Sequence, residues 1–134
     1  MRPRSIRLFE LSLWLALAID LANNLAAWNA MVATLHAHGF APNPLLLFLA
    51  CIASPVVGLI LWYAVARLRS SAAKWIMMIL VVAGAAGFVW KLLTPPDAHR
   101  VTLIAAAVAE AIKVFAVTRL FTRDSVAWLK GARG

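Results

Sequence analysis

Four long apolar stretches, joined by short polar segments, account for most of the chain. Their approximate ranges are 8–35, 44–66, 74–93 and 101–121. Each is long enough to cross the ~30 Å hydrocarbon core of a bilayer as an α-helix. The short connections require consecutive helices to be antiparallel neighbours. The pattern predicts an all-α integral membrane protein, in which residues 1–134 form one domain, an up-and-down bundle of four transmembrane helices.

The composition indicates that most of the surface faces lipid. Hydrophobic residues make up 64% of the chain and charged residues 13%, with a mean hydropathy of +0.88. A soluble domain has roughly 45–50% apolar and about 25% charged residues, and a small domain leaves much of its surface uncovered. The lone cysteine, Cys51, excludes an intrachain disulfide.

The net charge of +8 would suit a nucleic-acid partner, but the positions of the basic residues exclude that reading. They flank the apolar stretches, as cytoplasmic loops facing anionic lipid do. The N-terminal segment, the second connection and the tail are rich in basic residues, the first connection has none, and the third has only Arg100, with Lys91 nearby. The bias predicts that both termini are cytoplasmic.

Residues 122–134 are predicted to be a basic cytoplasmic tail. Apolar side chains there, Val126, Trp128 and Leu129, lie among basic residues. This pattern is compatible with a short interfacial helix capped by Asp124 or Ser125, or with an ordinary juxtamembrane tail.

Charged and amide side chains occur near the centres of the first and last apolar stretches. Asp20, Asn23 and Asn24 fall at i, i+3 and i+4, on one face of a helix, and Glu110 and Lys113 are neighbours at i, i+3. A charge at mid-bilayer depth costs at least ~2.5–3.5 kcal/mol, so we expect these side chains to form one polar site inside the bundle. The sequence leaves open whether that site is functional or a structural charge network.

Both middle helices have breaks or small residues at a similar depth. Pro55 and Gly58 lie near the centre of the second stretch, and Gly84 and Gly87 near that of the third. Proline removes the hydrogen bond to the carbonyl of Cys51, and small residues let neighbouring helices approach closely. Both features occur at transporter sites, and both are also common in ordinary membrane helices.

The sequence provides little support for catalysis or metal binding. It contains no Gly-rich phosphate loop, no Ser/His/Asp arrangement and no HExxH. His36, His38 and His99 fall in the two outer connections and are better explained as solvated loop residues than as metal ligands. We therefore expect no enzyme activity, no cofactor and no metal.

Three short segments carry a family resemblance. They are Arg2-Pro3-Arg4-Ser5-Ile6 with Phe9-Glu10, Ser71-Ala72-Ala73-Lys74-Trp75, and Leu120-Phe121-Thr122 with Ser125 and Trp128. Together they resemble small, functionally uncharacterised four-helix inner-membrane proteins of bacteria. The resemblance implies four spans and a location in the bacterial inner membrane, and it implies no activity.

The basic residues of the predicted cytoplasmic face have two interpretations. They include Arg4, Arg67, Arg69, Lys74 and Arg123. Basic residues beside a serine near a helix start suit a lipid headgroup or the acidic groups of a partner. Orientation by positive charge together with ordinary helix capping also explains them, and the pattern favours this second interpretation.

These features predict a small transporter or channel for a proton, a cation or a small solute, with Asp20, Glu110 and Lys113 lining its site. The alternative is an accessory or scaffolding subunit of a larger membrane complex, whose polar stripe binds partner helices; an enzyme or cofactor carrier is a third, weaker option. One four-helix bundle encloses little interior, so covering the two carboxylates predicts a homo-oligomer.

Overall fold

The computed structural model describes residues 3–41, 43–93 and 100–131, and throughout this part of the chain it is all-α, without strands. The described residues form six helices rather than four, and two of these helices are short. Their bounds are α1 Arg4–Ala26, α2 Trp28–Ala37, α3 Pro44–Ala66, α4 Ser71–Leu93, α5 Arg100–Arg119 and α6 Arg123–Lys130. The last three predicted stretches correspond to α3, α4 and α5 within a few residues.

The first predicted stretch, 8–35, is divided into α1 and α2 at Ala27. The backbone of Ala27 has φ −81° and ψ −1°, which lies at the edge of the helical region. Hydrogen bonds nevertheless continue through this point, because Ala27 N donates to Asn23 O at 3.0 Å and Met31 N donates to Ala27 O at 2.9 Å. The division is therefore a local irregularity just after Asn23 and Asn24.

Local hydrogen bonds account for where α3 and α4 begin. Asn43 accepts a hydrogen bond from Leu45 N at 2.9 Å, and Pro44 occupies the first turn, where no intrahelical donor is needed. The hydroxyl of Ser70 caps α4 by accepting a hydrogen bond from Ala73 N at 3.2 Å.

The four long helices form a ring in which each contacts two others. α1 packs against α3 and α5, and α4 packs against the same two helices. Contacts run in opposite directions along α1 and α3: Asn24 meets Cys51, and the earlier Leu17 meets the later Gly58. Thus α1 and α3 lie antiparallel.

The best-buried part of the core lies at one end of this ring. It combines the start of α1, the end of α3, the start of α4 and the end of α5. Ile6, Phe9, Val65 and Leu120 are fully buried there. Further along α1 the interior is less densely covered and contains the polar side chains.

The tail forms helix α6, which folds back onto this end of the ring. Its N-cap residue is Thr122, not Asp124 or Ser125. Leu129 and Ser125 are fully buried, and the hydroxyl oxygens of Ser125 and Ser5 form a hydrogen bond of 2.8 Å. The tail is therefore part of the packed structure.

Two of the described helices, α3 and α4, are long and apolar enough to cross a membrane. Only 17% of the most apolar 18-residue window of α3, and 11% of that of α4, is buried within the chain. Most of these apolar side chains are therefore exposed.

Candidate functional site

Three charged side chains meet within a single chain. Lys113 Nζ lies 2.6 Å from Asp20 Oδ2 and donates a hydrogen bond to Glu110 Oε1 at 2.9 Å. The side chains of Asp20, Glu110 and Lys113 are 15%, 18% and 14% exposed, respectively. The structure thus joins two helices, α1 and α5, through one ammonium shared by two carboxylates. We call these three residues the charge cluster.

Close packing of α1 against α5 brings Asp20 within reach of Lys113. Ala16 of α1 and Ala109 and Ala116 of α5 are fully buried, and small residues allow two helix backbones to approach closely. Glu110 and Lys113 are neighbours on α5 because they are separated by three residues.

Gly84 of α4 accommodates the carboxylate of Glu110 on its other side. A Cβ placed on Gly84 would lie 3.2 Å from Glu110 Oε1 and 3.5 Å from Glu110 Oε2. Glu110 Oε2 is buried and has no hydrogen-bond partner within the described part of the chain. One oxygen of this carboxylate is therefore bound by Lys113 and the other is unpaired.

A cavity of about 370 Å³ adjoins the charge cluster. Apolar side chains form most of its wall, including Leu13, Leu17, Met77 and Val81. Glu110 and Lys113 are its charged lining residues, and Ser54 adds a hydroxyl. Such a space can hold a small apolar group close to a charge.

Asn24 contacts α3 rather than the charge cluster. Its side-chain amide donates to the carbonyl of Cys51 at 3.0 Å. In an uninterrupted helix that carbonyl would accept from the N–H of residue 55, and Pro55 has none. Asn24 thus supplies from α1 the donor that Pro55 removes from α3. For Asn23, no hydrogen bond joins the side chain to another described residue, and the residue is partly exposed.

The four residues predicted to break a helix or to allow close packing, Pro55, Gly58, Gly84 and Gly87, differ in what they contact. α3 continues through the buried Pro55 as one helix. A Cβ on Gly58 would lie 2.6 Å from Leu17 Cδ2, so Gly58, like Gly84, is a point of close helix approach. Gly87 is not such a point, because a Cβ there would meet nothing within 4 Å among the described residues.

The predicted basic face includes one residue unlike the others. Arg4, Arg67, Arg69 and Arg123 are exposed, and the Arg69 guanidinium lies 4.5 Å from the centroid of the Trp128 ring. Lys74, by contrast, is only 7% exposed. Sequence reasoning missed this difference because Lys74 stands beside other basic residues. Its neighbour Trp75 and the later Phe121 were the only available signal, since aromatic rings can hold a partly buried cation.

The described histidines, His36 and His38, are more exposed than the residues of the charge cluster. His36 and His38 are exposed, and the His38 ring nitrogen Nδ1 lies 2.8 Å from Thr34 O. Among the described residues no cluster of histidine, cysteine and acidic side chains could hold a metal ion. His99 lies outside the described residues.

Comparison of the chain with protein-family models, with curated proteins and with solved structures finds no match. The resemblance to bacterial inner-membrane proteins therefore stays a prediction. What the chain itself provides is an all-α protein with two helices able to cross a membrane, and a partly enclosed charge cluster beside an apolar cavity.

Proposed function

We propose that this protein is a small transporter of the bacterial inner membrane that binds an organic cation at the Glu110 carboxylate. The proposal is supported by three features: the exposed apolar surface of α3 and α4, the uncompensated charge of the cluster, and the shape of the adjoining cavity.

The membrane setting includes all four long helices. α1 packs against α3, and α5 packs against α4. A bilayer that surrounds the two apolar helices α3 and α4 therefore also surrounds α1 and α5. The charges of α1 and α5 do not oppose this arrangement, since they are mostly covered within the ring. We infer four spans, with both termini on the cytoplasmic side because the basic residues concentrate at that end.

The charge cluster favours a cationic ligand. When all three groups are ionised, two carboxylates and one ammonium leave one negative charge uncompensated. The buried, unpaired Glu110 Oε2 is the single observation that carries the proposal. A buried acceptor without a partner is unfavourable, and a bound cation would remove that cost.

The cavity favours a particular kind of cation. Its wall is mainly apolar, which suits alkyl or aromatic substituents better than a hydrated metal ion. Its volume of about 370 Å³ lies within the range of small-molecule sites. An organic cation with apolar substituents and an N–H donor matches both the charge and the lining of the cavity.

Flux measurements in proteoliposomes test this function. We expect uptake of ethidium, a permanent cation whose amino groups can donate to the Glu110 carboxylate, above that of empty liposomes. Uptake should be at least roughly tenfold less for Glu110→Gln and Asp20→Asn, because a hydrogen bond to a charged group is worth ~1.5–3 kcal/mol. Asp124→Asn, at an exposed acid on α6, is the matched control and should transport normally. Folded wild-type protein that moves no ethidium would disprove the proposal.

A second candidate is an accessory subunit of a larger membrane complex. The observation that favours it is Asn23, whose amide makes no hydrogen bond to another described residue although it lies on a helix inside the proposed bilayer. Such an amide could bind a partner helix. This candidate predicts no flux, together with co-purification of a partner that is lost in Asn23→Leu.

A further inference from the structure

We infer that the groove between α4 and α5 is a binding site for an anionic phospholipid, with its phosphate at Lys74 and an acyl chain along the groove. This inference rests on the membrane setting proposed above but not on transport through the central cavity. It can therefore fail or succeed independently of the transport proposal.

Lys74 provides the anion-binding group. Its Nζ lies 4.4 Å from the centroid of the Phe121 ring and 5.4 Å from that of Trp75. The residue is 7% exposed, and no ion pair or hydrogen bond joins its Nζ to another described residue. The rings hold the cation in place without neutralising it, so its charge is available to a phosphate oxygen.

The apolar half of the site lies directly beside this cation. A second cavity of about 290 Å³ is lined mainly by Met78, Val81 and Val82 of α4, by Val114 and Val117 of α5, and by Phe121. Phe121 thus both lines the groove and carries the Lys74 ammonium on its ring. One face of α4 carries Lys74, Met78 and then Val81 or Val82, because these positions are spaced about one helical turn apart.

The position and surrounding charge of the site match a phospholipid. Lys74 lies in the first turn of α4, where a helix emerging from a bilayer meets the headgroups, and the groove extends from there into the apolar part of the helix. The exposed Arg67 and Arg69 just before α4 add further positive charge. A zwitterionic lipid would fit the groove but would gain less from this cluster of charges.

The test is native mass spectrometry of the delipidated full chain in detergent, titrated with dioleoylphosphatidylglycerol or dioleoylphosphatidylcholine. We expect the anionic lipid to bind at least roughly tenfold more tightly, and Lys74→Met to remove that preference. Lys130→Met, an exposed lysine at the same end, is the matched control and should keep it. Equal binding of both lipids, or equal losses in the two lysine variants, would overturn the inference.

Two further arms separate the acyl groove from the phosphate site. Val114→Trp should fill the groove and weaken both lipids, whereas Val89→Trp, at an exposed position of α4 outside the groove, should not. Glycerol phosphate should fail to displace the bound lipid. Displacement at comparable concentration would show a site for free phosphate and overturn the lipid assignment. Far-ultraviolet circular dichroism verifies the fold of each variant. If Lys74→Met does not fold, the comparison of Val114→Trp with Val89→Trp tests whether lipid binds in the groove.

Discussion

The Glu110 carboxylate of α5 lies where α1, α4 and α5 meet, and its two oxygens have different environments. Oε1 accepts a hydrogen bond from Lys113, which also binds Asp20 of α1, while Oε2 is buried without a partner. Gly84 of α4 leaves the space in which both oxygens lie. A change at Glu110 or at Gly84 therefore alters the same site from opposite sides.

The two glycines of α4 provide a residue-scale prediction. Gly84→Leu should destabilise the protein by about 1–3 kcal/mol, because its side chain would overlap the space held by the Glu110 carboxylate. Unfolding by sodium dodecyl sulfate in mixed micelles, followed by circular dichroism, measures the loss.

Gly87→Leu is the matched control for this prediction. It makes the same substitution one turn later on the same helix, where a new Cβ would meet nothing within 4 Å among the described residues. Its free energy of unfolding should stay within about 0.5 kcal/mol of the wild type. Equal destabilisation by both substitutions would show that Gly84 has no special contact with Glu110.

At the scale of the helices, α1 completes the hydrogen bonding of α3. Pro55 leaves the Cys51 carbonyl without its usual donor, and the Asn24 amide supplies one from the neighbouring helix. The kink-forming residue and the polar residue are thus parts of one interhelical contact. This explains why a polar residue of the first stretch lies beside α3 and not in the charge cluster.

A double-mutant cycle tests that contact. Asn24→Leu should cost about 0.6–1.7 kcal/mol of stability in the wild-type background, since interhelical hydrogen bonds in membranes fall in that range. In the Pro55→Ala background residue 55 regains its N–H and can bond to the Cys51 carbonyl, so the same substitution should cost less.

The cycle is measured by the same micelle unfolding assay. Asn23→Leu serves as the control, because the Asn23 side chain makes no hydrogen bond to another described residue and its effect should not depend on residue 55. Strict additivity of Asn24→Leu and Pro55→Ala would show that the Asn24 amide does not replace the donor that Pro55 lacks.

On the scale of the whole molecule, the two ends of the ring differ in charge and in packing. The end closed by α6 contains the densest core and most of the basic residues, whereas the other end exposes His36 and His38. A membrane protein with this asymmetry is expected to keep its basic end in the cytoplasm. The packed end would then face the cell interior.

Labelling with a membrane-impermeant maleimide tests this orientation. His38→Cys should react in intact spheroplasts, and Lys130→Cys only after permeabilisation, because the two exposed positions lie at opposite ends. The wild type is the control: its Cys51 is 2% exposed and should stay unlabelled under both conditions. The reverse pattern would overturn the proposed topology.

The expected homo-oligomer stays a prediction, but one argument for it is weaker. A second copy was expected because a single bundle would not cover Asp20 and Glu110. In the structure one chain already leaves only 15% and 18% of these side chains exposed. An oligomer would therefore need another interface.

The sequence by itself determined the helical class, the approximate bounds of α3, α4 and α5, and the existence of unusual charges in apolar stretches. These properties follow from local composition and periodicity, which each segment carries alone. It also predicted the proximity of Glu110 and Lys113, since a spacing of three residues places two side chains on adjacent turns.

Only the tertiary structure decided which of the polar residues meet. Asp20 joins Lys113 while Asn24, one turn away, reaches Cys51, because rotation and axial position of packed helices are set by side-chain fit over their whole length. The same reason separates Gly84 from Gly87, and it buries Lys74 while Arg67 and Arg69 stay exposed. Local pattern identifies a polar or small residue, but the partner helix determines what that residue contacts.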